Sequence, residues 1–87
     1  MITIYKYKLE LTEYQEISLP KNSEILHFNF QNQIPYIWAV VDTKKPMELV
    51  KFVIRGTGHP ILTPETLDYC GTALDGPFVW HLFRIKD

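Results

Sequence analysis

Hydrophobic and polar residues alternate along most of this chain with a period of two. In the opening stretch, TIYKYKLEL, Tyr5, Tyr7, Leu9 and Leu11 fall on one face and Ile4, Lys6, Lys8 and Glu10 on the other, the pattern of a half-buried strand. YQEISLP predicts a second, shorter strand with Ile17 and Leu19 inward. Pro20 ends it, having no N–H to give to a ladder. The turn residues KNS lead into EILHFNF, a third strand expected to place Leu26, Phe28 and Phe30 on one face and Ile25, His27 and Asn29 on the other. The polar turn QNQIP is followed by YIWAVVD, where Tyr36, Trp38 and Val40 oppose Ile37, Ala39 and Val41. Both faces are apolar, so this strand is expected to be covered on both sides. In so short a chain the second cover would be a ligand or another subunit.

ELVKFVIR predicts a fifth strand, with Val50, Phe52 and Ile54 on the core face and Leu49, Lys51, Val53 and Arg55 on the other. A helix over residues 47–54 competes with that reading. The β-branched content and the glycines just after the run favour a strand. LTPETL holds one helix-start signal, Thr63 as cap and Pro64 at the first position, with room for a single turn. DYCGTAL and FVWHLFRI then form a final pair, joined by Leu74, Asp75, Gly76 and Pro77. Asp-Gly signals a hairpin, although Pro77 argues against a plain two-residue turn. Phe78, Trp80 and Leu82 share one face of the last strand; Val79, His81, Phe83 and Ile85 share the other. About seven short strands separated by turns predict an all-β, single-domain antiparallel β-sandwich or small barrel over residues 1–87.

Composition narrows the functional classes. A hydrophobic content of 46% with 22% charged residues is that of a globular chain. Aromatics reach 14%, more than a thin core needs, so some rings are expected on a contact surface. The formal charge of −1 argues against a long nucleic acid as partner, which would require a basic stripe. A single cysteine, Cys70, excludes an internal disulfide and points to the cytoplasm. No secretory leader and no membrane-length apolar run is read in the chain.

Catalytic signatures are missing from the pattern, and no cofactor is implied. His27, His59, His81 and Cys70 lack the spacing of a metal site and read as ordinary strand or loop residues. Cys70, mid-strand beside Gly71, reads as a buried, inert thiol. The stretch that stands out is IRGTGHPIL. Gly56 and Gly58 are expected to permit positive φ and to expose backbone amides, which can form a concavity for anions. Arg55 can hold a phosphate with paired hydrogen bonds, while Thr57 and His59 add polar contacts. Tyr36, Trp38 and Trp80 supply rings for base stacking. The plainer reading is a glycine turn that releases a strand from its sheet, with the rings filling a core or a subunit interface.

Three stretches taken together, IYKYKLE, GTGHPI and YCGTALDGPFVWHLF, resemble a group of very small phage-borne proteins. These have a Tyr-rich first strand, a Gly-Thr-Gly-His-Pro turn and a Gly-Pro-Phe-Val-Trp-His ending. The chain is similar in turn to anti-CBASS sponges, phage proteins that soak up the cyclic-nucleotide signals of bacterial immunity. The resemblance implies non-catalytic capture of a cyclic dinucleotide in the host cytoplasm, and the two-sided apolar strands and small core predict a homo-oligomer, dimer or tetramer. The alternatives that remain are a phage inhibitor of a host defence protein, of the anti-CRISPR or anti-restriction type, and a minor structural phage protein.

Overall fold

The computed structural model describes residues 1–86. Seven strands form: β1 (Ile2–Lys8), β2 (Tyr14–Pro20), β3 (Glu24–Gln31), β4 (Ile34–Asp42), β5 (Met47–Gly56), β6 (Leu67–Asp75) and β7 (Phe78–Ile85). They assemble into two antiparallel sheets, β1-β4-β3 and β2-β5-β7-β6. The sheets pack face to face as an all-β sandwich whose shortest dimension is 16 Å, as expected of two layers about 10 Å apart with their twist.

Alternation sorts the side chains as the pattern requires. Leu9, Leu19, Phe28, Ile37, Val50, Phe52, Ile54, Ala73 and Leu82 form one buried cluster between the sheets. Residues 47–54 are strand, not helix: Val50, Phe52 and Ile54 are buried at every second position, which a helix would scatter around its axis. Val53, on the opposite face, is also buried, in the region where Ile61 and Leu62 of the following loop come near it and Arg55.

Local details depart from simple alternation. Leu26 sits in a bulge, because Ile25 pairs with Ala39 and His27 with Trp38. The extra residue reverses the register, so Ile25 packs on the core with Phe28 while Leu26 is 45% exposed. Cys70 occupies the matching irregularity of β6, between the pairs Tyr69–Phe83 and Gly71–Leu82. The β6–β7 hairpin closes in two residues after all, with Asp75 paired to Phe78 and Gly76 at φ 57°. Proline is incompatible with a turn needing positive φ at both central positions. It is compatible when only the first is positive and that residue is glycine. Thr63 precedes a 3₁₀ turn, Pro64–Thr66, but its side chain makes no cap hydrogen bond.

Candidate functional site: a glycine corner against Trp80

Strand β5 ends at Gly56, which pairs with Trp80 of β7. The ladder runs one step further through Thr57 N–H to the Val79 carbonyl, at 3.2 Å, before the chain turns away. Gly58 takes the turn with φ 90°, and His59 N–H closes it on the Gly56 carbonyl at 3.0 Å. The His59 ring folds back over the strand end, where its Nδ1 accepts the Gly56 N–H at 3.0 Å. An acceptor at Nδ1 places the proton of the neutral ring on Nε2.

Gly56 itself does not have positive φ; Gly58 does. What Gly56 supplies is room, since a Cβ there would lie 2.8 Å from His59 Cε1. Three of the amides at this corner are also engaged within the protein, those of Gly56, Thr57 and His59. A continuous row of open N–H donors is therefore not what the turn presents.

Trp80 lies on the inner face of β7 at the open end of the sandwich. Its ring meets the edge of His59 at 6.2 Å and 64°, and that of Phe78 at 6.1 Å and 31°. Two clefts open here. One, of about 310 Å³, is lined by Gly56, Thr57, His59, Pro77, Phe78, Val79 and Trp80. The other, of about 230 Å³, is lined by Leu11, Thr12, Glu13, Ile54, His59 and Trp80. His59 and Trp80 belong to both, so their rings form the wall between them. The indole Nε1 of Trp80 is buried and has no hydrogen-bond partner among the described residues. A buried donor left unpaired costs about 1–3 kcal/mol, and Trp N–H groups are usually satisfied when buried.

Arg55 points from the outer face of its sheet. Its Nη1 donates to the carbonyls of Glu13 and Ile54, both at 3.1 Å, tying the segment before β2 to the end of β5. It lines a third cleft, of about 320 Å³, with Glu13, His59, Pro60 and Leu62. Thr57 turns the other way, to His81. Its Oγ1 lies 2.8 Å from His81 Nε2, His81 Nδ1 lies 2.9 Å from Thr72 Oγ1, and Thr72 Oγ1 lies 2.7 Å from the Tyr69 hydroxyl. This chain of four polar side chains secures the corner to the outer face of β6 and β7.

Arg55, Gly56, Thr57, Gly58, His59 and Trp80 are thus gathered at one end of the molecule. Tyr36 and Trp38 are not. They lie on the outer face of the other sheet, opposite Lys8 and Lys6 across β1. There Lys6 Nζ sits 4.5 Å from the Tyr36 ring centroid and His27 stands 5.9 Å from Trp38. Among the described residues no group of three His, Cys, Asp or Glu side chains is close enough to hold a metal ion. No helix among them is long and apolar enough to cross a membrane.

Sequence reasoning passed over Phe78, Glu13 and the Tyr69–Thr72–His81 chain. The hairpin signal carried part of the answer: once the turn is set at Gly76 and Pro77, the register puts Thr72 opposite His81.

The family model described as a domain of unknown function, DUF7352, matches residues 1–87. The chain belongs to the DUF7352 family. Neither a curated protein nor a solved structure matches it. The match covers both halves of this DUF7352 corner, the loop after β5 and the start of β7.

Proposed function

We propose that this DUF7352 protein captures a small nucleotide at the glycine corner without altering it, acting as a stoichiometric trap. Together with the resemblance to phage-borne anti-CBASS sponges, this makes a cyclic dinucleotide immune signal the ligand and the host cytoplasm the place of action. The observation that carries the reading is Trp80: a large ring at the mouth of two clefts, with an indole N–H that the protein leaves unpaired. Base–aromatic stacking is worth on the order of 1–3 kcal/mol per base, and the Trp80 ring lines both clefts where a base could lie. Arg55 lies around the corner with, among the described residues, only its Nη1 hydrogen-bonded, which leaves the other guanidinium nitrogens for a phosphate.

The larger of the two clefts at Trp80, of about 310 Å³, is at the lower end of ligand pockets, which span roughly 300–1,000 Å³. A two-fold symmetric cyclic dinucleotide would therefore be shared between two copies of the chain. Tyr36 and Trp38 would reach such a ligand only from a neighbouring copy.

The test is to purify the protein from bacteria that make cyclic dinucleotides, denature it, and chromatograph what is released. Intact nucleotide in near-stoichiometric amount is the expected result. Cleaved or linear product would replace capture with catalysis. No release, together with no heat on titration with a nucleotide panel, would overturn the reading.

A second reading, a blocker of a host defence protein, is favoured by the apolar side chains exposed on both outer faces. Ile2 and Ile4 lie on one, and Leu49 and Leu74 on the other, each more than half exposed. An exposed apolar face of this kind offers surface that a protein partner could bury.

A further inference from the structure

We infer that the cleft between Phe78, Trp80 and His59 is a subsite for an uncharged, flat heterocycle, and that the protein recognises its ligand first through a base, not through phosphate. The inference rests on the corner being a ligand site and specifies which part of the ligand it holds.

Four observations lead to it. The cleft contains no Lys, Arg, Asp or Glu; apart from Gly56 and Thr57 its walls are rings, proline and valine. The backbone donors that would have drawn an anion are engaged: Gly56 N–H on His59, Thr57 N–H on Val79 and His59 N–H on Gly56. The Thr57 hydroxyl is directed to His81 on the outer face. Phe78 is 58% exposed at the cleft mouth, its ring tilted only 31° from that of Trp80. A flat ring laid against them covers exposed apolar surface without desolvating a charge, whereas a phosphate placed there would lose its water and gain no cation.

Arg55, the basic residue of the corner, lines a different cleft, with Glu13, His59, Pro60 and Leu62, and its Nη1 is held by the Glu13 and Ile54 carbonyls. Phosphate contact is thus a secondary interaction, made around the edge of His59 by whatever part of the ligand extends past it. A base held by its faces is sequence-tolerant.

The experiment uses the full chain with Trp38→Phe, which leaves Trp80 as the single tryptophan and its fluorescence as the readout. Adenosine, guanosine, cytidine and uridine are titrated beside their 5′-monophosphates, a set of cyclic dinucleotides, and inorganic phosphate. At least one nucleoside is expected to change Trp80 emission with an affinity within about tenfold of its monophosphate, with no competition from inorganic phosphate. Phe78→Ala, at an exposed position that does not support the core, is expected to weaken nucleoside binding at least tenfold. Arg55→Gln is expected to weaken it less than threefold. Capture of cyclic dinucleotides with no response to any nucleoside, or with full affinity retained in Phe78→Ala, overturns the base subsite and leaves nucleotide capture standing. Competition by inorganic phosphate, or a loss concentrated in Arg55→Gln, does the same. Failure of every ligand to bind overturns both.

Discussion

Gly56 and His59 are locked to each other. The glycine N–H donates to the imidazole Nδ1 at 3.0 Å, and the ring occupies the space that a Cβ on Gly56 would need. One residue supplies both the donor and the absence of a side chain, and the other brings its ring back over the strand end. The result is a partition between two clefts at the end of a small sandwich. Where the sequence suggested a turn with exposed amides, the tertiary structure builds a wall.

Gly56→Ala is expected to displace His59 and forfeit their hydrogen bond, at a cost of about 1 kcal/mol. The ring is exposed and can swing aside, so the loss stays modest. Because both substitutions remove one interaction, Gly56→Ala and His59→Ala should cost together little more than either alone. A double-mutant cycle by urea denaturation measures this directly. In nitrogen NMR of the native protein, neutral His59 should carry its proton on Nε2.

Trp80→Phe tests the unpaired indole. Removing the pyrrole half of the ring sacrifices packing but also removes a buried donor that has no partner. The two effects oppose each other, and stability is expected to change by less than about 1–2 kcal/mol, well below the 3–5 kcal/mol typical of deleting a large core aromatic. Ligand capture should fall even though the protein remains folded, because the smaller ring offers less surface for stacking. Chemical denaturation of the variant beside its nucleotide titration reports both.

The polar chain running from Thr57 to Tyr69 is open to a similar test. Thr57→Val keeps the shape and removes the hydroxyl that meets His81. At this exposed position the expected cost is about 0.5–1 kcal/mol. The effect should also appear as faster amide exchange at Gly58 and His59, because the loop loses its attachment to the outer face. Unchanged exchange rates would show that the corner is held by the Gly56–His59 contact alone.

Cys70 is expected to behave as an unreactive thiol. Burial pushes its pKa up to about 11, against a smaller pull downward from Arg84. At pH 8 the native protein should therefore react with thiol reagents far more slowly than the unfolded chain. The stability consequence follows from the same inequality. The folded-state value lies above the unfolded one, so the contribution is intact below pH 9.0 and is lost as the pH rises to about 11. Comparing urea midpoints of the wild type and Cys70→Ala across that range isolates the thiol from the tyrosines that titrate nearby.

Much of the architecture could be read before any coordinates. Alternation, β-branched content and turn signals together located all seven strands; alternation identified Ile17, Leu19, Val50, Phe52 and Ile54 as inward-facing, and β-branched content with the following glycines favoured strand over helix for β5. The glycine-rich stretch was recognisable as a corner because glycine, proline and histidine rarely gather at a strand end without a backbone reason. The face of Leu26 was not legible. A bulge adds one residue to a strand and leaves no mark in the pattern of hydrophobic and polar positions, yet it turns every later side chain over.

What the sequence determined by itself is therefore local: which segments extend, which residues alternate inward, where the chain must turn, and that the aromatics outnumber the places a small core offers. Only the tertiary structure decided the rest. It put Trp80 beside His59 and sent Tyr36 and Trp38 to the far side of the molecule. It spent the Gly56 amide on a side chain three residues away, and it joined Thr57 to Tyr69 through His81 and Thr72. The reason is physical. Alternation follows from the geometry of one strand, whereas strand partners and sheet faces are chosen by long-range burial, which no short window of sequence contains.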